Sequence, residues 1–295
     1  MENKLRVKAR WEHDEFPAGK ENQRGLLIDV TAPRAQQEKR AERPALNLAL
    51  VIDRSGSMRG DRLAAARRAA IGISQQLRKD DRLSIVAYDT ELLVLLDGVK
   101  QNKAGRAAAE AAIGELHSGG CTDLGGGWMR GCKCVADVMD RHGTAAGHVI
   151  LLSDGHANRG LTDPDQLATH AAEMATRGVT SSCVGIGAGY SPLQLNAIAE
   201  AGRGQLHHSN NADEIVDVVL GELGELVNIA AHATQLTLEL PSYVRAQQLT
   251  RFREEGTPHR MEIDLGDIVA GRTRRVALMV HTDPRIEPGE VLPFK

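Results

Sequence analysis

From Leu46 onward the chain alternates between short apolar runs and longer stretches whose apolar residues return every third or fourth place. "LNLALVID", "RLSIVAYD", "HVILLSDG" and "VTSSCVGIG" are continuous apolar runs, the pattern of strands covered on both faces. Between them lie helical periods. Leu63, Ala66, Ala70, Ile73 and Leu77 fall on one face of a first helix, and Trp128, Cys132, Val135 and Met139 on one face of another. "AGRAAAEAAIGELH" is helical by propensity. "DPDQLATHAAEMATRG" carries Asp163 as N-cap, Pro164 in the first turn and Gly178 as a stop. "SPLQLNAIAEAG" predicts a short helix, "QLHHS" a small strand and "NADEIVDVVLGELGELV" a closing helix. "TELLVLLDGV" follows its neighbouring strand so closely that it suits an antiparallel edge partner. This alternation predicts an α/β fold, a Rossmann-like, mostly parallel sheet with helices on both faces and right-handed crossovers.

The flanks have a different texture. "LRVKARW" and "GLLIDVTAP" read as strands, and the polar, proline-bounded segment from Pro33 to Pro44 reads as a linker. After about Asn228, "ATQLTLELP", "PHRMEIDLGDI" and "RTRRVALMVHTD" are again alternating or β-rich. The expected organisation is residues 1–44 as N-terminal strands, 45–227 as the α/β domain and 228–295 as C-terminal strands. The two flanks together form a small β-sandwich.

Composition narrows the function. The chain has 295 residues with 36 basic against 39 acidic side chains, so bulk charge suggests neither a nucleic-acid partner nor a membrane surface. The charged start "MENKLRVKARWEHDEF" has no apolar core of a signal peptide, and no run reaches the ~20 apolar residues of a membrane span. Four cysteines in a large domain without a leader predict free thiols and a cytoplasmic location.

Candidate chemistry gathers where strands end. In an open α/β sheet, ligands sit at the carboxyl ends of the strands. Asp53 ends "LNLALVID" and Asp154 follows "VILLS"; if their strands are neighbours, the carboxylates converge. The glycine-rich loop with Thr122 can fold over the same crevice. Asp53, Ser55, Ser57, Thr122 and Asp154 offer only oxygen, which suits a hard divalent cation such as magnesium. Taken alone, "DRSGS" also suits a helix cap, with Ser57 or Asp61 doing that work, and both readings stand at this point.

"ALVIDRSGSM", "GGCTDLGGG" and "VILLSDG" together resemble the three loops of a von Willebrand factor A domain over roughly Leu46 to Val227. The likeness centres on that family's metal-ion-dependent adhesion site, an Asp-x-Ser-x-Ser turn with a later threonine and aspartate. All five positions match. The resemblance implies that Ser55, Ser57 and Thr122 contact the metal, with Asp53 and Asp154 as direct or water-bridged anions. It implies Mg2+, with Mn2+ or Ca2+ as alternatives, and a non-enzymatic module that binds an Asp or Glu carboxylate of a protein partner. Bacterial members suggest an AAA-type ATPase or another assembly component as that partner, and relatives of the inter-alpha-trypsin-inhibitor type suggest the flanking sandwich. Two other readings compete: a magnesium-dependent phosphohydrolase with Asp53 as nucleophile, and a scaffold with a purely structural metal. The first lacks a proton donor two residues on, where Ser55 stands.

Other motifs carry less. Cys132 and Cys134 sit two apart on a helix and lack a four-ligand zinc set. Glycines 125 to 127 are not followed by the Lys of a phosphate loop, and no nucleophile elbow is present. His207 and His208 read as structural or surface residues, and His156 as a loop histidine or a residue of the crevice. Arg62 is close enough to steer an acidic ligand, while Arg67 and Arg68 form a solvated face.

Overall fold

The computed structural model describes residues 4–13, 21–33, 43–144, 146–250, 252–257 and 259–282. Most of the expected linker (34–42) and the end of the chain (283–295) lie outside them. The chain forms two compact units, one of Met1–Glu42 with Glu225–Lys295 and one of Arg43–Gly224.

The first unit begins with β1 (Arg6–Trp11) and β2 (Asn22–Thr31). The second unit then runs β3 (Asn47–Asp53), α1 (Asp61–Gln76), β4 (Arg82–Tyr88), β5 (Leu92–Lys100), α2 (Lys103–Gly114), α3 (Leu124–His142) and β6 (Gly147–Ser153). It continues with α4 (Pro164–Thr176), β7 (Val179–Ile186), α5 (Pro192–Ala201), β8 (Arg203–Ser209) and α6 (Ala212–Leu226). Its six-stranded sheet has the order β5-β4-β3-β6-β7-β8. Only the β4–β5 pair is antiparallel, so the edge partner expected from "TELLVLLDGV" is in place.

Every residue of β3 and β6 is buried, which is why both read as unbroken apolar runs. Alternation sorts their side chains between two faces. Ala49, Val51, Val149 and Leu151 join one core with Trp128, Cys132 and Val135 of α3, Leu167 of α4 and Leu195 of α5. Ser182, one residue before Cys183 of that core, faces the other way and donates to Glu222 of α6 at 2.5 Å. Helices therefore cover both faces. Arg67 departs from expectation: it is half-buried on α1 rather than part of a solvated face, whereas Arg68 is exposed.

The glycines of α3 are packing devices. A Cβ on Gly131 would stand 2.3 Å from Val51 Cγ2, and one on Gly127 would stand 2.4 Å from the Tyr88 ring. Without side chains there, α3 lies directly on β3 and β4, and the Trp128 indole N–H reaches Ser181 Oγ at 3.0 Å.

In the other unit, β9 (Ile229–Glu239), β10 (Val244–Gln248), β11 (Arg253–Thr257), β12 (Arg260–Val269) and β13 (Thr273–Thr282) complete two antiparallel sheets with the N-terminal strands. Their orders are β1-β2-β13-β10 and β11-β12-β9. Ile28, Val30, Val276 and Leu278 from one sheet and Leu238, Met261 and Ile263 from the other share one hydrophobic cluster. The antiparallel pairing of β2 with β13 joins chain regions far apart in sequence. The five-residue strands β10 and β11 escaped the sequence reading because they are short and largely polar, and β11 is exposed throughout.

Glu222 pins α6 to the sheet. His207 Nε2 lies 2.5 Å from Oε2 and His148 Nε2 lies 3.5 Å from Oε1 of the buried carboxylate. Burial opposes its ionisation, but the two imidazoles and the Ser182 hydroxyl outweigh burial and hold it well below the ordinary carboxylate range.

Urea denaturation of three variants tests this packing. Gly131→Ala should cost about 1–3 kcal/mol through overpacking against Val51, although alanine is the better helix former. Gly221→Ala on α6, where a Cβ meets nothing within 4 Å, should instead gain up to about 1 kcal/mol. Glu222→Gln should lose about 3 kcal/mol at neutral pH. A depressed carboxylate contributes stability above its unfolded pKa and loses it as pH falls, so that penalty should shrink in acid below about pH 4.

Candidate metal centre

The crevice at the carboxyl ends of β3 and β6 is built from backbone register first. Ile52 pairs with Leu152 in the parallel ladder, and one step further Asp53 comes beside Ser153. Asp53 is fully buried. Its Oδ1 accepts the Ser55 N–H at 2.8 Å and its Oδ2 accepts the Ser153 hydroxyl at 2.8 Å. Burial raises its pKa; the donors from Ser55 and Ser153 pull it back, and the neighbouring charge of Asp154 pushes it up. Nothing within the run "VILLSD" itself marks Ser153 as the partner of Asp53. The parallel pairing of the two apolar runs is the signal that would have found it.

The turn after Asp53 buries Ser55 and leaves Ser57 exposed at the mouth of the crevice. A 3-10 turn covers Gly56–Met58, and the Met58 side chain is buried beneath it. Ser55 Oγ and Ser57 Oγ are 3.1 Å apart, and Ser57 Oγ donates to Asp154 Oδ1 at 2.7 Å. The capping alternative has a clear outcome. The N-cap of α1 is Gly60 at φ +85°, with no side-chain cap, so neither Ser57 nor Asp61 serves as one.

The third loop is tied to the first two. Gly119 N–H donates to Arg54 O and Gly56 N–H to Gly120 O. Gly120, at φ +49°, leaves no room for a Cβ, which would meet Thr90 Oγ1 at 2.6 Å and Asp89 Cγ at 2.8 Å. Thr122 is buried, and its backbone exchanges hydrogen bonds with Asn158 in the loop after Asp154. A methyl group on Gly155 would stand 3.4 Å from Thr122 Oγ1 and 3.9 Å from Ser57 Oγ, so both hydroxyls border the same small space. The structure thus brings all five candidate side chains to one crevice.

Arg62 reaches into this crevice from α1. Its Nη1 donates to Asp154 Oδ2 at 2.6 Å, so it pairs with a residue of the site itself. His156 is exposed in the loop beyond. His207 belongs to the Glu222 cluster, and His208 is exposed beside the Tyr190 ring, 5.6 Å between centroids.

The chemistry on offer is oxygen: two carboxylates and three hydroxyls. Among the described residues, no group of three His, Cys, Asp or Glu side chains is placed to hold a metal ion, and this cluster depends on hydroxyls for its third and later donors. All four cysteines are free. Cys132 and Cys134 are both buried despite their spacing, and burial pushes the Cys132 thiol up to about 12, far from a ligating thiolate.

Residues 47–219 match the model of the von Willebrand factor type A domain. The chain belongs to that family. As a von Willebrand factor type A protein it is 28% identical over 281 residues to an uncharacterised protein of Synechocystis sp., covering 91% of this chain and 64% of that one. The chain thus spans under two thirds of that relative's length. The structure resembles a von Willebrand factor type A protein from Catenulispora acidiphila with a TM-score of 0.73 and 20% identity, over 94% of this chain and 65% of that chain. It also resembles proximal thread matrix protein 1 of the mussel byssus, solved with a zinc-occupied metal-ion-dependent adhesion site. There the TM-score is 0.50 at 17% identity, over 65% of this chain and 49% of that chain. Among the described residues, no helix is long and apolar enough to cross a membrane.

Ser153→Ala tests the support beneath Asp53. The hydroxyl favours the ionised carboxylate, so its loss should cost about 1–3 kcal/mol at neutral pH in urea denaturation. The cost should shrink as acid protonates Asp53.

Proposed function

We propose that this protein is a metal-dependent protein-interaction module. The observation that carries the reading is the convergence of Asp53, Ser55, Ser57, Thr122 and Asp154 on one crevice with no nitrogen or sulfur donor among them. Hydroxyls and carboxylates suit hard cations, so the fitting ions are Mg2+, with Mn2+ and Ca2+ as alternatives. Ser55, Ser57 and Thr122 would hold the ion, with Asp53 and Asp154 supplying charge directly or through water. The zinc-occupied site of the mussel protein supports divalent binding on this fold.

A divalent ion carried by two carboxylates and neutral hydroxyls keeps electrophilic character and accepts one further acidic oxygen. The chain's own residues do the rest. The Ser55 N–H and the Ser153 hydroxyl fix the rotamer of Asp53, so its carboxylate is preorganised rather than mobile. The loop anchored on Asp89, Thr90 and Asn158 fixes Thr122. The occupant of the open position is an Asp or Glu of a partner protein. We favour a cytoplasmic assembly with an AAA-type ATPase or a comparable component, and we read the two antiparallel sheets of the other unit as an accompanying β-sandwich. Ser55 supports binding over turnover, because a hydroxyl in that place offers a leaving group little proton transfer.

Calorimetric titration of the full chain with Mg2+ and Mn2+ should show one site, weakened at least about tenfold in Asp53→Ala. Proteins retained on the immobilised chain in Mg2+ should be released by EDTA and missing from the Asp53→Ala column. Retention that survives both treatments would rule out the metal bridge.

A further inference from the structure

Asp154 already has a cation. Its side chain is fully buried, and an uncompensated carboxylate in such a place is costly. Its two oxygens are taken by two donors, Oδ1 by the Ser57 hydroxyl at 2.7 Å and Oδ2 by Arg62 Nη1 at 2.6 Å. The guanidinium is housed as well as paired. It lies over Gly187, where a Cβ would approach Nη2 at 3.1 Å, and Gly187 is itself held at φ +68° with its N–H on Ser209 O at 2.7 Å. Three segments therefore shape its seat: the start of α1, the end of β6 and the turn after β7.

The two donors differ in what an incoming ion does to them. Ser57 belongs to the oxygen set that would hold the ion. Arg62 contributes a positive charge that the ion duplicates, a short distance from the same carboxylate. Like charges at that separation repel. Arg62 is also the one with somewhere to go, because 41% of its side chain is exposed while Asp154 has none.

We propose that Arg62 is the resident counter-cation of Asp154 and that a divalent ion takes its place when the site loads. This rests on the metal-binding reading above. The ion pair keeps the crevice organised without metal, and breaking it subtracts from the metal affinity. Arg62 is a positioning residue here, acting on metal through Asp154.

The test is calorimetric titration of the full chain with Mg2+ and Mn2+, paired with thermal unfolding, for wild type, Arg62→Gln, Arg62→Lys and Asp53→Ala. Arg62→Gln should bind metal about fivefold more tightly, the size of a partly exposed ion pair. Its metal-free Tm should fall, and its metal-induced rise in Tm should exceed that of wild type. Arg62→Lys keeps the charge and should stay near wild type. Equal or weaker affinity in Arg62→Gln, with wild-type binding lost in Asp53→Ala, would overturn the exchange and leave the metal site standing. Absence of binding by wild type would overturn both. A crystal structure of wild type with Mn2+ checks the same point without a variant. The guanidinium should have left Asp154, and a retained contact beside a bound ion would refute the exchange.

Discussion

Two carboxylates sealed from water at the ends of adjacent strands are the constraint that the surrounding structure answers. Asp53 ends β3 and Asp154 directly follows β6, its parallel neighbour, and neither side chain is open to solvent. Desolvation and the neighbouring charge of Asp154 both work against the ionised form of Asp53. Each local oddity nearby supplies a donor or makes room for one. The turn after β3 folds back so that the Ser55 N–H meets Asp53. The Ser57 hydroxyl goes to Asp154 instead of capping α1, and Gly60 at φ +85° takes over the N-cap without a side-chain bond.

The fold puts that constraint where a ligand can reach it. From β3 the chain crosses first to β4 on one side and only later to β6 on the other, which makes the gap between β3 and β6 the switch point of the sheet. Connections diverge there and leave a crevice. Close packing of α3 is the second requirement. Because Gly127 and Gly131 let that helix rest on Tyr88 and Val51, the loop before it is drawn down to Asp89 and Thr90. Thr122 then faces the turn of Ser57 across Gly155.

Much of this was legible in the chain because burial on both faces writes itself as unbroken apolar runs. "LNLALVID" and "VILLSD" disclosed both the strands and the carboxylates at their ends. Other information stayed hidden. Side-chain partners set by register, such as Ser153 with Asp53, depend on which strands are neighbours, and periodicity along one strand carries none of that. Arg62 read as a residue that could steer an acidic ligand, because its pairing with Asp154 spans 92 residues. The glycine triplet at 125–127 was ambiguous for the opposite reason. Its composition suits several uses, and Tyr88 under Gly127 with Leu161 beside Gly125 selects packing. The strands β10 and β11 were lost because too few of their residues enter a core to leave a pattern.

The charge balance of the crevice bears on its chemistry. On the proposed reading, two carboxylates against one guanidinium leave the crevice net negative before an ion enters. Had Ser55 been a third carboxylate, the ion would be held with less positive charge to spare, and an incoming acidic side chain would meet more repulsion. Hydroxyls avoid that: they add oxygen without adding charge. A site of that kind would trade intrinsic metal affinity for attraction to an outside anion, and a resident arginine would move it further the same way by opposing the metal-free carboxylate's bare charge. On the proposed reading, weak metal retention and strong preference for acidic partners are two effects of one arrangement, set by how few carboxylates the crevice contains.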